Sequence, residues 1–293
     1  MSASRKSFTK DSKILLLGGN GYIGSHLSQK LKSKGYTNVY VGSRSAMGNG
    51  DLQLDISQDD SVGKIKDRGF DFILNLTGQI SWPITACLRQ NTLGIQHMIA
   101  ACSQVSTFIH LSSVGVYGSG QWADETSVCN PETPYSALKL VSETLVLDGL
   151  PEHQRLVLRL SNVYGASQPK GLFAYLKRSA LSDKFLEFNN NGSLTRFFLH
   201  VEDLSNGLIE LLKKNTEIQT PVVNLVGRDQ YSVLQLIALF EDKFKVAYRK
   251  QFEPVKPYDN MMSISDHVFR NLTDFEEQYK LDTYVDELID HVD

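Results

Sequence analysis

Cysteine is scarce in this chain: only Cys87, Cys102 and Cys129 occur in 293 residues. None stands in a C-x-x-C spacing, and an odd number allows no pairing scheme that uses all three, which argues against a disulfide framework and a structural zinc site. Thiols left unpaired fit a reducing compartment, so the expected location is cytoplasmic and no metal is expected. No stretch of 18 uninterrupted apolar residues occurs, so no membrane insertion is expected. Residues 1–12 are polar and mixed in charge, lack the apolar centre of a signal peptide, and are expected to form a flexible leader. An excess of one charge is missing as well. Thirty basic residues against 33 acidic ones give a net charge of −3, the basic residues form no long run, and nucleic acid is not an expected partner. Repeats and low-complexity linkers are absent too, which leaves a globular chain long enough for one large domain or two modest ones.

What is present is an alternation of short apolar runs and amphipathic stretches. The run Lys13-Ile-Leu-Leu-Leu17 ends abruptly in Gly18-Gly-Asn-Gly21-Tyr22-Ile23-Gly24, and Ser25 to Lys34 follows with Leu27 and Leu31 on one face. Strand, glycine turn and helix come in the order a dinucleotide needs. Glycines permit a tight turn and close approach of backbone to a pyrophosphate, and the helix N-terminus offers unpaired N–H groups to the anion. Further strands are expected over 39–44, 52–56, 70–76, 107–113, 155–160 and 222–227. Helices are expected over 91–103, 135–149, 172–180, 203–214 and 232–244, with a mostly helical stretch over 259–293. The alternation predicts an α/β fold, a doubly wound parallel sheet of Rossmann type. Residues 13–160 and about 199–227 are expected to form a dinucleotide-binding domain; about 161–198 and 228–293 are expected to form a small, mostly helical substrate-binding region.

The second strand, Val39-Tyr-Val-Gly-Ser43-Arg44, has no acid at its end, where a carboxylate would accept hydrogen bonds from the ribose 2′-hydroxyl of NAD. Ser43 and Arg44 suit a 2′-phosphate instead. NADP(H) is therefore the favoured cofactor and NAD(H) the alternative, in which case Arg44 is a solvated loop residue. Tyr135 and Lys139 stand four residues apart, after Thr133-Pro134 and before Gly149, so a helix would bring phenol and ammonium to one face. A cation there favours the phenolate and makes an acid/base of the tyrosine.

These motifs and several others agree in order. Gly18-x-x-Gly21-x-x-Gly24, Asp55-Ile56, Asn91-x-x-Gly94, Leu111-Ser-Ser113-x-x-Val-Tyr-Gly118 and Tyr135-x-x-x-Lys139 lie in the first half of the chain. Arg159-x-x-Asn162-Val-Tyr-Gly165, Arg196-x-Phe-x-His-Val-x-Asp203 and Asn224-x-x-Gly227 follow. Over about residues 13–266 the chain resembles the extended short-chain dehydrogenase/reductase family, in its sugar-nucleotide epimerase/dehydratase branch. The resemblance implies that Tyr135 gives or takes a proton at the reacting oxygen, that Lys139 holds the nicotinamide ribose and lowers the tyrosine pKa, and that Ser113 hydrogen-bonds the same oxygen. It implies that Gly18, Gly21, Tyr22, Ile23 and Gly24 receive the cofactor. Asp55 and Ile56 would bracket the adenine, and Leu76, Thr77 and Gly78 would line the phosphate and ribose path. Asn162 and Arg196 would bind the substrate diphosphate. Lys256-Pro-Tyr-Asp259 resembles the family's R-P-G-D segment, whose ends contact the nucleotide, but departs from it at Lys256 and Tyr258. The implied partner is a nucleoside-diphosphate sugar, and the implied assembly a homodimer.

Bland roles fit some of the remaining residues: Asn91 as a brace, His110 as a satisfied core histidine, His200 as packing, and Asp203 as the cap of the following helix. Trp82 either lines the sugar pocket or caps the core. Dehydratases of the branch carry an acidic pair after the catalytic hydroxyl, whereas Val114 and Gly115 stand here, so a 4,6-dehydratase is not expected. The missing acid after Val41 favours an NADPH-dependent reductase of a nucleoside-diphosphate 4-keto-6-deoxy sugar, with hydride to C4 and Tyr135 as proton donor. The alternative is an NAD-dependent C4 epimerase of a nucleotide sugar, and a third reading is a non-catalytic nucleotide-binding member.

Overall fold

The computed structural model of the chain describes residues 4–45, 51–66, 68–78, 84–102 and 107–290. Its strands are β1 (Ile14–Leu17), β2 (Val39–Ser43), β3 (Leu52–Gln53), β4 (Phe72–Asn75), β5 (Thr107–Ser113) and β6 (Arg155–Leu160). Then come β7 (Asn162–Tyr164), β8 (Phe185–Phe188), β9 (Thr195–His200), β10 (Val222–Leu225), β11 (Asp229–Ser232) and β12 (Arg249–Phe252). The helices are α1 (Tyr22–Ser33), α2 (Asp59–Val62), α3 (Ile84–Asn91), α4 (Leu93–Ala101) and α5 (Pro134–Gly149). They continue with α6 (Leu172–Ala180), α7 (Val201–Lys213), α8 (Val233–Phe244), α9 (His267–Leu272) and α10 (Leu281–Asp290).

Seven strands form one sheet in the order β10-β6-β5-β4-β1-β2-β3, and every neighbouring pair is parallel. The order reverses between β1 and β4, so a crevice opens there at the carboxyl ends of the strands. Helices cover both faces. Ile14 and Leu16 pack with Leu27 and Leu31 of α1 and Leu204 and Leu208 of α7, while Leu15 and Leu17 pack with Ile95 and Met98 of α4 and Val146 of α5. A strand buried on both sides has no polar face, which is why β1 is an unbroken apolar run.

A second core surrounds Tyr164, Phe173, Leu186, Phe198, Phe240 and Tyr284. It is enclosed by α6, α8 and α10 together with a three-stranded sheet, β11-β9-β7, and a two-stranded one, β12-β8. This region holds more strand than the mostly helical region expected. The stretch 259–293 is also only partly helical. Met261 and Ile264 make β-bridges with Gly120 and Ala123, and residues 273–280 connect α9 and α10 without helix or strand. Nor does a boundary at 228 separate the two cores, because Phe269 and Phe275 pack into the first one beneath the large sheet.

The expected leader is docked from Arg5 onward. Phe8 stacks on Tyr36 at 4.7 Å and meets the edge of Phe72 at 5.2 Å, Arg5 Nη2 donates to the Arg155 carbonyl at 2.8 Å, and Asn215 Nδ2 donates to the Lys6 carbonyl at 2.8 Å. One aromatic in a polar segment anchors it to the amino-end edge of the sheet, which average composition hides. No helix among the described residues is long and apolar enough to cross a membrane.

Candidate active site

Helix α5 begins where local chemistry dictates. Thr133 is extended at the N-cap, its hydroxyl accepts the Ser136 N–H at 3.3 Å, and Pro134 occupies the first helical position. Tyr135 thus lies in the first turn with Lys139 one turn on. Lys139 is only 4% exposed, and its ammonium donates to the carbonyls of Thr77 at 3.1 Å and Leu111 at 3.0 Å, just past β4 and near the end of β5. Burial lowers its pKa to about 8, with Glu143 opposing the shift. The same effect, burial, raises the Tyr135 phenol, and a hydrogen bond with Ser113 opposes it. Two of the three Lys139 N–H donors go to carbonyls, and the hydrogen bond from Ser113 is the contact that favours the phenolate here. The Ser113 hydroxyl oxygen accepts the Gly115 N–H at 3.1 Å, which leaves its own proton to donate.

A cavity of about 310 Å³ opens beside this group, along the glycine turn. Gly18, Gly21, Tyr22, Ile23 and Gly24 line it from one side, Leu76, Thr77 and Gly78 from another, and Ser113, Tyr135 and Lys139 close it. A Cβ on Gly24 would lie 2.5 Å from Gly19 Cα, so only glycine lets α1 start this close to the end of β1. A dinucleotide fits the chemistry of these walls. The Tyr22 hydroxyl, Ser112 Oγ and Gln168 Oε1 are buried on residues that line the cavity and have no partner among the described residues. Each such orphan costs about 1–3 kcal/mol until a polar ligand satisfies it. Ser112 and Gln168 did not stand out in the sequence. Ser112 is one of the paired hydroxyls ending β5, whereas Gln168 sits in a loop without a legible pattern.

A smaller cavity of about 200 Å³ adjoins the first and shares Ser113, Tyr135 and Asn162 with it. Arg196 and Asp259 line its far part, and Val114, Phe197, Met261 and Ile264 supply apolar surface. Burial lowers the Arg196 guanidinium from its ordinary value, and Asp259 opposes this. Lys256, expected beside them, is exposed and lines neither cavity.

The expected adenosine-end residues lie apart from the larger cavity. Ser43 Oγ accepts from Asn20 Nδ2 at 2.7 Å and donates to the Ser45 carbonyl, and Arg44 is exposed. Asp55 Oδ1 closes its own turn by accepting the Ser57 N–H at 3.0 Å and the Ser57 hydroxyl at 2.7 Å. Ile56 is buried in the second face of the core against Gly94.

Other singled-out residues have structural partners. Asn91 accepts from Ser142 of α5 at 3.1 Å and so braces a helix. Asn75 Nδ2 donates to His110 Nδ1 at 3.0 Å; burial, then Lys139, holds His110 well below its ordinary pKa, and its Nε2 has no partner among the described residues. His200 caps α7 by accepting the Glu202 N–H at 3.3 Å and stacks on Tyr279 at 4.0 Å; burial takes its pKa to about 4. Asp203, expected as that cap, instead accepts the Gln278 and Tyr279 N–H groups at 3.1 and 3.0 Å and pins the stretch between α9 and α10 to α7. Trp82 lies outside the described residues. No group of three His, Cys, Asp or Glu among the described residues could hold a metal ion.

A family model described as the NAD dependent epimerase/dehydratase family matches residues 14–227. The chain belongs to that family. Membership makes it an NAD(P)-dependent enzyme of the short-chain dehydrogenase/reductase type, and the resemblance read from the motifs holds. Among family relatives, the uncharacterized UDP-glucose epimerase YtcB of Bacillus subtilis (strain 168) is 29% identical over 266 residues, covering 78% of this chain and 81% of that protein. The crystal structure of UDP-glucuronic acid 4-epimerase from Bacillus cereus, in complex with UDP-glucuronic acid and NAD, superposes with a TM-score of 0.82. It is 23% identical and covers 95% of this chain and 98% of that one. The NAD complex of dTDP-glucose 4,6-dehydratase from Bacillus anthracis str. Ames superposes with a TM-score of 0.81 at 21% identity, covering 96% of both chains. At these identities the two structures establish the shared fold.

Proposed function

We propose that this family member is an NAD-dependent C4 epimerase of a nucleoside-diphosphate sugar. The observation that carries the reading is the meeting of two cavities at Ser113, Tyr135 and Asn162: one suits a dinucleotide, the other a smaller polar ligand that ends at Arg196. Bound NAD supplies the hydride acceptor and, later, the donor. The chain's own residues handle the proton. Tyr135, as phenolate, takes the proton of the C4 hydroxyl and returns it after the sugar has presented its other face. Ser113 donates to the same oxygen as charge develops there. Lys139 presents a cation to the cofactor ribose, and Asn162 and Arg196 hold the diphosphate.

The epimerase names of YtcB and of the Bacillus cereus protein support epimerisation over the reduction expected from Ser43 and Arg44. Dehydration is disfavoured by packing as well as by sequence. A Cβ on Gly115 would lie 2.6 Å from Ser136 Oγ, so a carboxylate at that position would require Ser136 to leave its bond with Asp259. A second reading, an NADPH-dependent reductase of a 4-keto-6-deoxy sugar nucleotide, rests on Arg44, which is exposed at the end of β2 where NAD-specific sites place an acid. A homodimer belongs to the same proposal, supported by the exposed Leu88, Leu93 and Val141 on α3, α4 and α5.

The deciding experiment is incubation of the purified protein with UDP-glucose or UDP-glucuronic acid, without added cofactor, and identification of products by NMR. Epimerisation at C4, with NAD released on denaturation, is the expected result. Protein that carries no cofactor and oxidises NADPH only with a 4-keto-6-deoxy sugar nucleotide would replace this reading with the second.

A further inference from the structure

We propose that Asp259 is a positioning residue that links the diphosphate end of the substrate, at Arg196, to the turn of α5 carrying Tyr135. The identity of the substrate rests on the epimerase reading; the geometry does not. Asp259 was expected to contact the nucleotide, but its carboxylate faces the catalytic helix. Oδ2 accepts the hydroxyls of Thr133 and Ser136, each at 2.6 Å, and Oδ1 accepts the Glu132 N–H at 2.8 Å. Thr133 is the N-cap of α5 and Ser136 the residue whose N–H it caps, on either side of Tyr135. The contact is reciprocal, because Glu132 Oε2 accepts the Asp259 N–H at 2.6 Å.

The main chain of Asp259 faces the other way. Arg196 Nη1 donates to its carbonyl at 2.6 Å and to the Thr195 carbonyl at 3.2 Å, while Nη2 donates to the Tyr258 carbonyl at 3.3 Å. A guanidinium has five N–H donors, so two remain, on Nε and Nη2. That edge is the fork that grips a phosphate side-on. Arg196 can therefore hold residues 258–259 and a diphosphate together. Asp259 itself has φ +51°, a conformation that L residues adopt seldom and that surrounding bonds must hold in place. Neighbouring Asn260 ties the same segment to β9, its Oδ1 accepting the Thr195 N–H at 2.9 Å. A hydrogen-bonded path thus runs from the diphosphate end through Arg196 and Asp259 to the residues flanking Tyr135.

The test compares wild type with Asp259→Ala and Asp259→Asn. Uridine diphosphate is the probe, its affinity is measured by calorimetry, and amide hydrogen exchange is followed over residues 132–139. Uridine diphosphate should slow exchange in the first turn of α5 in wild type. Asp259→Ala should bind it within about threefold of wild type yet lose that protection, with kcat for UDP-glucose lowered about tenfold or more and KM little changed. Asp259→Asn keeps an acceptor for the Glu132 N–H, and its amide can donate to both hydroxyls, so it should recover part of kcat. The proposal is overturned if Asp259→Ala weakens uridine diphosphate binding about tenfold while kcat holds, which is the signature of direct nucleotide contact. It is equally overturned if wild type fails to bind uridine diphosphate or gains no protection in α5 from it. A wild type that couples uridine diphosphate to α5 but epimerises no nucleotide sugar would sink the epimerase reading alone.

Discussion

The cavity wall around Tyr135 and the end of β2 are built differently. At the catalytic end Lys139 is buried and doubly bonded to the carbonyls of Thr77 and Leu111, Ser113 is oriented by the Gly115 N–H, and the helix start is capped by Thr133. At the end of β2, where the adenosine was expected, Arg44 is solvated, Ser43 bonds to its own neighbours, and Asp55 closes a local turn. Groups cross-bonded in a desolvated wall keep one geometry, and their charges act at low dielectric. Exposed groups can be exchanged without disturbing the core. The proposed reaction chemistry accordingly falls in the buried wall, and the proposed choice between NAD and NADP at a surface strand end.

Substitutions can break that contrast, beginning at the buried end. Tyr135→Phe should lower turnover by about 10²–10⁴-fold with ligand binding retained, measured by NMR of product formation, since it removes the proton acceptor alone. Retained turnover would remove Tyr135 from the chemistry. Ser113→Ala should cost about 10²-fold in kcat by removing one donor to the developing charge. Lys139 is protonated below about pH 8 and neutral above it, so kcat/KM should fall as pH rises through that value. Lys139→Met should show a low, flat profile through the same range; a limb that persists in this variant would assign it to another group. The smallest effect is expected at the open end. Arg44→Ala should weaken NADP binding by no more than about fivefold and leave NAD binding unchanged, because an exposed charge pair contributes about 0.2–1 kcal/mol. A larger loss would show that this end is as ordered as the other.

Elements signalled by neighbouring residues were legible. Thr133-Pro134 marks the start of α5, the glycine turn marks the passage from β1 to α1, and the unbroken apolar run marks β1 as doubly buried. Residues whose partners lie far along the chain were not. Asp203 suggested a cap by its place before a helical run, yet it binds amides 75 and 76 positions away. Phe8 was submerged in a polar segment and packs against Tyr36 and Phe72. Gln168 and Ser112 acquire meaning only from the cavity wall they join.

Residue type and short-range order alone settled the α/β alternation, the glycine turn between β1 and α1, and the placing of Tyr135 and Lys139 on one helical face. Those features depend on backbone propensity and on periods of two and 3.6 residues, which a linear pattern expresses. Tertiary structure decided what the charged groups do. It gave Lys139 to two carbonyls, His200 to the cap of α7, and Asp259 to the start of the catalytic helix. A carboxylate or an ammonium takes whichever donors or acceptors folding brings within reach in a desolvated site, and sequence spacing does not record that distance.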